Sequence, residues 1–371
     1  MKNKKETFMQ GIVAIMFSQI VIKFLGLSYK LYLTNKEGFG DEGNAIYSSG
    51  FQIYALLLTV SSIGVPNAIA KLVSEKTAVG ENRGAHRIFK TCFVTFSLIG
   101  LCGTLILYFG ANYIANVLLQ IPEAELTLVA LAPSIFFVSV SSVIRGYFNG
   151  RKELKVSAHS QTMEQLFKAL LTIIIVEIIS AYTSNNTIIM AAGANLATTL
   201  AAFLGTSYLF LYYKFKRKEV WTDVNLSVNY KPQRIKAILR NVMEVSIPIT
   251  LSALLGTLNK NIDAFTVVRG LKTFLTEAEA KLQYGILSGK VDTLIVLPLS
   301  FNVAFSIALV PTISSAVARK DFKIAKNKIK HTLLITTLIG IPFTIRNVYI
   351  CRTYFETIIS KCGRRRSFIE N

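Results

Sequence analysis

The chain has 371 residues, of which 52% are hydrophobic and only 17% charged, yet its formal net charge is +20 and its mean hydropathy is +0.46. A charge of that size invites a nucleic-acid reading, which needs a basic face carrying base-stacking aromatics; here the cations fall in short connections between long apolar runs, so no nucleic-acid partner is expected. The four cysteines (Cys92, Cys102, Cys351, Cys362) form neither a CxxC pair nor a His-paired metal spacing, which excludes the common zinc and thiol-redox frameworks.

Nine apolar runs follow one another: residues 9–33, 45–70, 89–111, 126–148, 160–182, 187–213, 242–268, 284–312 and 331–350. A helix needs about 20 such residues to cross the hydrocarbon core, and the runs that exceed this predict tilt or extension beyond it. Open sheet edges cannot be satisfied in lipid, and barrel-type alternation is absent, so the expected class is an all-α polytopic membrane protein with about nine spans. The first run is too long for a signal-peptide core and lacks a small-residue cleavage site, so it is expected to remain as the first span. Cys92 and Cys102 fall in the third span and read as small apolar fillers.

The connections alternate in charge. One set holds Lys2, Lys4 and Lys5; Lys71, Lys76, Arg83, Arg87 and Lys90; Arg145, Arg151, Lys152 and Lys155; the basic run 214–218 with Lys231, Arg234, Lys236 and Arg240; and the stretch 319–330, for 26 cations in all. The other set holds only Lys36, Arg269, Lys272 and Lys281. Lys and Arg near span ends stay cytoplasmic, which places the N-terminus inside a bacterial plasma membrane, where anionic inner-leaflet lipids attract the same cations.

The connection 214–240 contains the only tryptophan, Trp221, and reads as a cytoplasmic linker. It separates an N-terminal lobe of six spans (1–213) from a partial second lobe (241–350). GVPNAIAKLVSEK at 64–76 and LVPTISSAVARKD at 309–321 share an apolar helix, Val-Pro, a small-residue turn and a basic segment. This spacing fits a repeat of six spans, as in many transporters, and a complete repeat implies twelve or more. The tail 351–371 is anomalous. With nine spans it lies outside, yet it carries Arg352, Lys361 and Arg364 to Arg366. Codons chosen for Asn347 onward, read one base later, can encode an apolar phrase ending at a Pro-Asn turn that completes the ninth span. The expectation is a frameshifted, truncated product, which the coding DNA tests.

Charges within spans are costly and mark cavities or internal pairs. Lys23 lies midway along the first span with Gly26 and Ser28 beside it, and Lys30 follows about two turns on, so both can face one groove; the alternative is snorkelling, easier for Lys30. Glu164 and Lys168 have the favourable i,i+4 order of a helical ion pair, and Glu164 is also the weak candidate for coupling to a proton or sodium ion. Lys71 and Arg145 sit at cytoplasmic span ends, as topology determinants or as receptors of an anionic head group. Lys260, Asp263, Lys290 and Asp292 are gating pairs or interfacial charges. His86, His159 and His331 lie near the boundary without metal-site spacing.

No GxSxG, HExxH, P-loop or dinucleotide fingerprint occurs, so no enzyme activity and no cofactor is expected. KFLGLSYKLYLT (23–34), IYALLLTVSSIGVPNAIAKLVSE (53–75), RGYFNGRKELKVSAHSQTMEQLFK (145–168) and the phrase YGILSGKVDTLIVLPLSFNVAFSIALVPTISSA (284–316) resemble the oligosaccharide flippases of the multidrug/oligosaccharidyl-lipid/polysaccharide exporter superfamily, nearest its stage V sporulation protein B-like and Gram-positive lipid II flippase-like branch. The resemblance implies two six-helix lobes around a cavity that opens to each side in turn and carries an undecaprenyl-pyrophosphate-linked oligosaccharide or peptidoglycan precursor outward. It implies that Lys23 and Lys30 occupy the positions whose cations face the pyrophosphate. Relatives place arginine at the first of these; lysine keeps the charge and loses the bidentate geometry. The partial second lobe departs from the pattern. Three functions therefore stand at this point: a lipid-linked oligosaccharide flippase driven by an ion gradient or the membrane potential, a drug or metabolite cation antiporter of the same superfamily, and a non-transporting truncated product.

Overall fold

The computed structural model describes residues 2–62, 64–183, 185–227 and 233–291, together with separate helical positions between 322 and 345. The chain divides into two units, residues 1–290 and 291–371. The first is built from α1 (Lys2–Asn35), α2 (Gly40–Ser62), α3 (Gly64–Ala78), α4 (Asn82–Tyr113), α5 (Glu125–Gly150), α6 (Leu154–Tyr182), α7 (Thr187–Asn225), α8 (Ile235–Leu271) and α9 (Glu277–Ile286). α4 runs into a π-helical stretch, Ile114–Leu119, and α9 into another, Leu287–Val291. Among the described residues there is no strand, and six helical stretches are long and apolar enough to cross a bilayer. The chain is an all-α polytopic membrane protein.

The first seven expected spans fall on α1 through α8, with the second divided between α2 and α3. The eighth begins in α9 and continues outside the described residues, and of the ninth only separate helical positions are described. Within the second unit the Thr337 hydroxyl donates to the Leu333 carbonyl one turn earlier (2.7 Å). The connection expected over 214–240 is largely helical: α7 continues to Asn225 and α8 opens at Ile235. With 39 residues, α7 is about 58 Å long, roughly twice the thickness of the hydrocarbon. Its basic end therefore projects beyond it and is pinned where Arg151 meets Asp223 (2.6 Å) and Asn82 donates to the Asp223 carbonyl (3.1 Å).

α5 is the centre of the first unit. Its most apolar stretch is 72% buried, against 22% in α4 and in α6, as a helix that is apolar on every side demands. It packs against α2, α3, α4 and α7. Pro133 interrupts its backbone ladder, and neighbours donate to carbonyls beside the break: Thr104 of α4 to Ala132 (3.0 Å) and Thr199 of α7 to Ala130 (2.6 Å). Such hydroxyls re-satisfy backbone groups where water is absent.

Two GxxxG spacings set the closest helix approaches. Gly146 and Gly150 lay the α5 backbone on α3; a Cβ at Gly146 would stand 2.8 Å from the Pro66 carbonyl oxygen, and one at Gly150 would stand 2.6 Å from Val73 Cβ. Gly285 and Gly289 do the same for α9 against Asp41 and Asn44 of α2. With little hydrophobic drive between helices in lipid, such close backbone packing carries much of the association.

The four cations of the weakly charged connections are all engaged. Lys36 pairs with Glu177 (2.6 Å), which also accepts from the Tyr32 hydroxyl. Arg269 and Lys272 donate to the Val117 and Gln120 carbonyls (both 3.1 Å), where cations complement a helix C-terminus. Lys281 ties α9 to Glu123 (2.6 Å) and pairs with Glu277 one turn earlier in the same helix (3.1 Å). Burial opposes the Lys281 charge, but the two carboxylates still raise its pKa above the ordinary value. Lys281 and then Lys272 hold Glu277 below the usual carboxylate range.

Two outcomes follow. Gly146→Leu forces overpacking against Pro66 and Ile69 and lowers stability by about 1–3 kcal/mol, read as a lower melting temperature in detergent. Gly270→Ala, where an added Cβ meets nothing within 4 Å, causes no loss and, by helix propensity, raises stability by up to about 1 kcal/mol. Because the Glu277 pKa is depressed, its contribution to holding the start of α9 through Lys281 and Lys272 is present above the ordinary carboxylate range and vanishes as pH falls through the lowered value; the protection of α9 amides, measured against the unfolded exchange rate at each pH, falls over that acid window and stays level between pH 6 and 8.

Candidate functional site

The apolar interior of the first unit forms two clusters, one including Leu33, Ile46, Leu128 and Met190, the other Ile69, Val143, Phe148 and Leu209. Along α5, α6 and α7 the stretches between them carry Ser139, Ser160, Glu164, Lys168, Thr198, Thr199 and Thr206. The site is this polar belt, closed on one side by α1 and α2.

Arg145 of α5 reaches across to α6. Its Nη2 donates to Glu164 Oε2 (2.6 Å) and to the Ser160 hydroxyl (2.9 Å). The Arg145 side chain is 12% exposed and that of Glu164 26%, so charge and hydrogen bond reinforce each other where desolvation is substantial. Glu164 therefore finds its ion-pair partner on another helix, although the sequence offers Lys168 one turn along. The i,i+4 rule describes an isolated helix; here α6 turns Lys168 toward α1 and α2.

Lys168, near the midpoint of the 29-residue α6, is only 7% exposed. Its Nζ lies 4.2 Å from the centroid of the Phe51 ring and 5.3 Å from that of Tyr29, within cation–π range. Tyr47 stacks on Phe51 with centroids 5.8 Å apart, and its hydroxyl lies 3.5 Å from that of Tyr29. The enclosure comes from α2, where Tyr47, Phe51 and Tyr54 follow an i, i+4, i+7 spacing that puts three rings on one face. That spacing is visible in the sequence, but only the neighbouring cation gives it meaning.

α1 packs against α6 in parallel. The Ser18 hydroxyl donates to the Ala158 carbonyl (3.0 Å) and pairs with Thr162 (2.6 Å), Gly26 faces Gln165, and Tyr29 faces Lys168. This register puts Lys23 level with Glu164, on the exposed side of α1. Lys30 is half-buried, and its Nζ donates to the Ser288 carbonyl (2.7 Å). That carbonyl lies in the π-helical stretch after α9, where the usual helical ladder is shifted. Of the four cations Lys23, Lys30, Arg145 and Lys168, Arg145 alone meets Glu164; Lys30 meets the Ser288 carbonyl and Lys168 the aromatic rings.

The remaining candidates lie apart. Lys71 is exposed on α3 and Asp263 is exposed on α8. Asp292 lies outside the described residues, as do the side chains of Lys260 and Lys290. Among the described residues no group of His, Cys, Asp or Glu is arranged to hold a metal ion.

Removing Arg145 leaves Glu164 desolvated beside Ser160. Arg145→Met is expected to cost about 1–3 kcal/mol of stability, the loss for a buried pair discounted for the partial exposure of Glu164. Arg145→Met combined with Glu164→Gln recovers most of it. A double-mutant cycle on melting temperatures checks both, and additive effects would break the pair apart.

Known proteins share this architecture. Residues 8–317 match the family of polysaccharide biosynthesis proteins. The chain is 27% identical over 337 residues to stage V sporulation protein B of Bacillus subtilis (strain 168), an alignment covering 91% of this chain and 64% of that protein. To the lipid II flippase MurJ of the same organism it is 21% identical over 345 residues, covering 91% and 63%. The chain thus spans just under two thirds of the length of these relatives. Among solved structures, the inward-facing conformation of a multidrug resistance MATE family transporter of the MOP superfamily superposes with a TM-score of 0.64 at 14% identity, covering 89% of this chain and 72% of that one; the likeness is one of fold. From its helices and from the match across most of its length, the chain belongs to the polysaccharide biosynthesis protein family of membrane proteins.

Proposed function

We propose that this chain carries the first lobe and the opening helices of the second of a flippase that moves a lipid-linked oligosaccharide or peptidoglycan precursor from the inner to the outer leaflet by alternating access. The observation that carries the reading is the excess of cations in the belt: Lys23 exposed, Lys30 half-buried and Lys168 buried, with Glu164 already engaged by Arg145. A polyprenyl tail can stay in lipid while only its charged head crosses, so the protein needs a cationic path for the head. Lysines near mid-membrane offset the desolvation of a pyrophosphate. Lys23 is the residue for direct contact; Lys168, walled in by aromatic rings, holds a fixed positive potential behind it. Lys71, exposed toward the inner end, would greet the head group on entry, while Arg145 stays paired with Glu164. An inside-negative potential favours outward movement of an anion by about 2.3 kcal/mol per charge per 100 mV. The similarity to stage V sporulation protein B and to a lipid II flippase supports the same class of cargo.

The charge pattern supports a plasma-membrane setting with a cytoplasmic N-terminus. Under that reading Lys152→Cys, in a background with Cys92, Cys102, Cys351 and Cys362 replaced by serine, resists an impermeant maleimide in intact cells, and Lys272→Cys reacts with it. The reverse result would overturn the sidedness.

For transport, the full chain is expressed in cells depleted of their own flippase, and lipid-linked precursor is measured on each side of the membrane. Lys23→Ala is expected to lower outward transport about tenfold or more, the loss of a charge-assisted contact, whereas Lys23→Arg retains it. A Lys23→Ala variant that alters drug tolerance while leaving precursor transport intact would favour the cation antiporter instead.

A further inference from the structure

A cavity of about 550 Å³ lies away from the belt, between the first turns of α4, the projecting end of α7 and the start of α8. Its wall carries Arg83, Arg87 and Lys90 of α4, with His86 between them and Trp221 of α7 opposite. No acidic residue lines it. Its nearest carboxylate in sequence, Asp223, is held by Arg151 at 2.6 Å. His86 packs against Trp221 with centroids 5.6 Å apart, which joins the start of α4 to the projecting end of α7.

The stripe that carries these cations continues down α4. Arg83, Arg87, Lys90 and Val94 recur at three- and four-residue steps, and the same face goes on through Leu98, Leu101 and Leu105, which are 58%, 45% and 46% exposed. About two turns of positive charge therefore pass, through Val94, into about two turns of open hydrocarbon surface. A soluble anion would use only the first part. A phospholipid uses both, with its phosphate among the cations, its glycerol beside Trp221 at interfacial depth, and its acyl chains along the leucines.

We infer that this cavity is a binding site for an anionic phospholipid of the leaflet that bears the basic connections, seated with its head group against Arg83, Arg87 and Lys90. The site is independent of the transport reading, since it shares no residue with the belt. Basic pockets between membrane helices hold such head groups, and each cation near the surface adds to the attraction.

Trp221 is the only tryptophan of the chain, so its fluorescence reports on the cavity alone. The purified full chain is placed in nanodiscs of phosphatidylcholine, and phosphatidylglycerol with brominated acyl chains is titrated in; brominated phosphatidylcholine is the comparison. The anionic lipid is expected to quench Trp221 at about a tenfold lower mole fraction. Arg83→Gln, Arg87→Gln and Lys90→Gln together abolish that preference, and Lys90→Gln alone, at an exposed position, weakens it. Lys214→Gln, Arg217→Gln and Lys218→Gln, exposed on α7 outside the cavity wall, remove the same charge and leave it intact. Equal quenching by both lipids, or equal effects of the two triple variants, would overturn the site as undirected charge attraction. Full relief of quenching by millimolar inorganic phosphate would overturn the lipid in favour of a free anion.

Discussion

A charge inside a bilayer must be paired or enclosed, and the first unit is organised around how it does both at one level. Arg145 and Glu164 neutralise each other across the α5–α6 interface, while Lys168, one turn further along α6, is surrounded by aromatic rings from α1 and α2. These contacts join the central helix to three others at the depth where an unpaired ion is most costly. The apolar clusters on either side supply dry packing, but they cannot set register, because leucines and valines in lipid slide past one another at little cost. A guanidinium shared between Glu164 and Ser160 and a caged ammonium favour one alignment.

Cations serve different ends in different parts of the molecule. In the sparsely charged connections each one ties two segments: Lys36 to Glu177, Lys281 to Glu123, Arg269 and Lys272 to carbonyls at the end of a π-helical stretch. In the richly charged connections several face an open cavity or remain exposed, as Lys71, Arg83 and Lys90 do. The bias across the membrane is therefore stronger than the count of residues conveys, because the few cations on one side are consumed by structure.

Close backbone approach does the rest of the assembly. The glycine pairs at 146 and 150 and at 285 and 289 bring α5 onto α3 and α9 onto α2. The phrase RGYFNGRKELKVSAHSQTMEQLFK thus combines a charge for the belt, two glycines for helix contact and an α6 partner for that charge within 24 residues.

Much of this was legible in the amino-acid sequence. Long apolar runs, alternating connection charge and absent catalytic motifs determine an all-α membrane protein, and Lys23, Lys30, Arg145, Glu164 and Lys168 stand out as charges in or beside apolar surroundings. Those are local properties, fixed by composition and by the length a helix needs to cross lipid. The partners were decided by the tertiary structure. Lys168 sits four residues after Glu164, yet each turns to a different helix; Lys30 finds the Ser288 carbonyl 258 positions away; the projecting end of α7 places Trp221 over the first turns of α4. Spacing along one helix says which residues share a face, whereas the neighbour that face meets depends on how distant helices pack, and no local pattern encodes that distance.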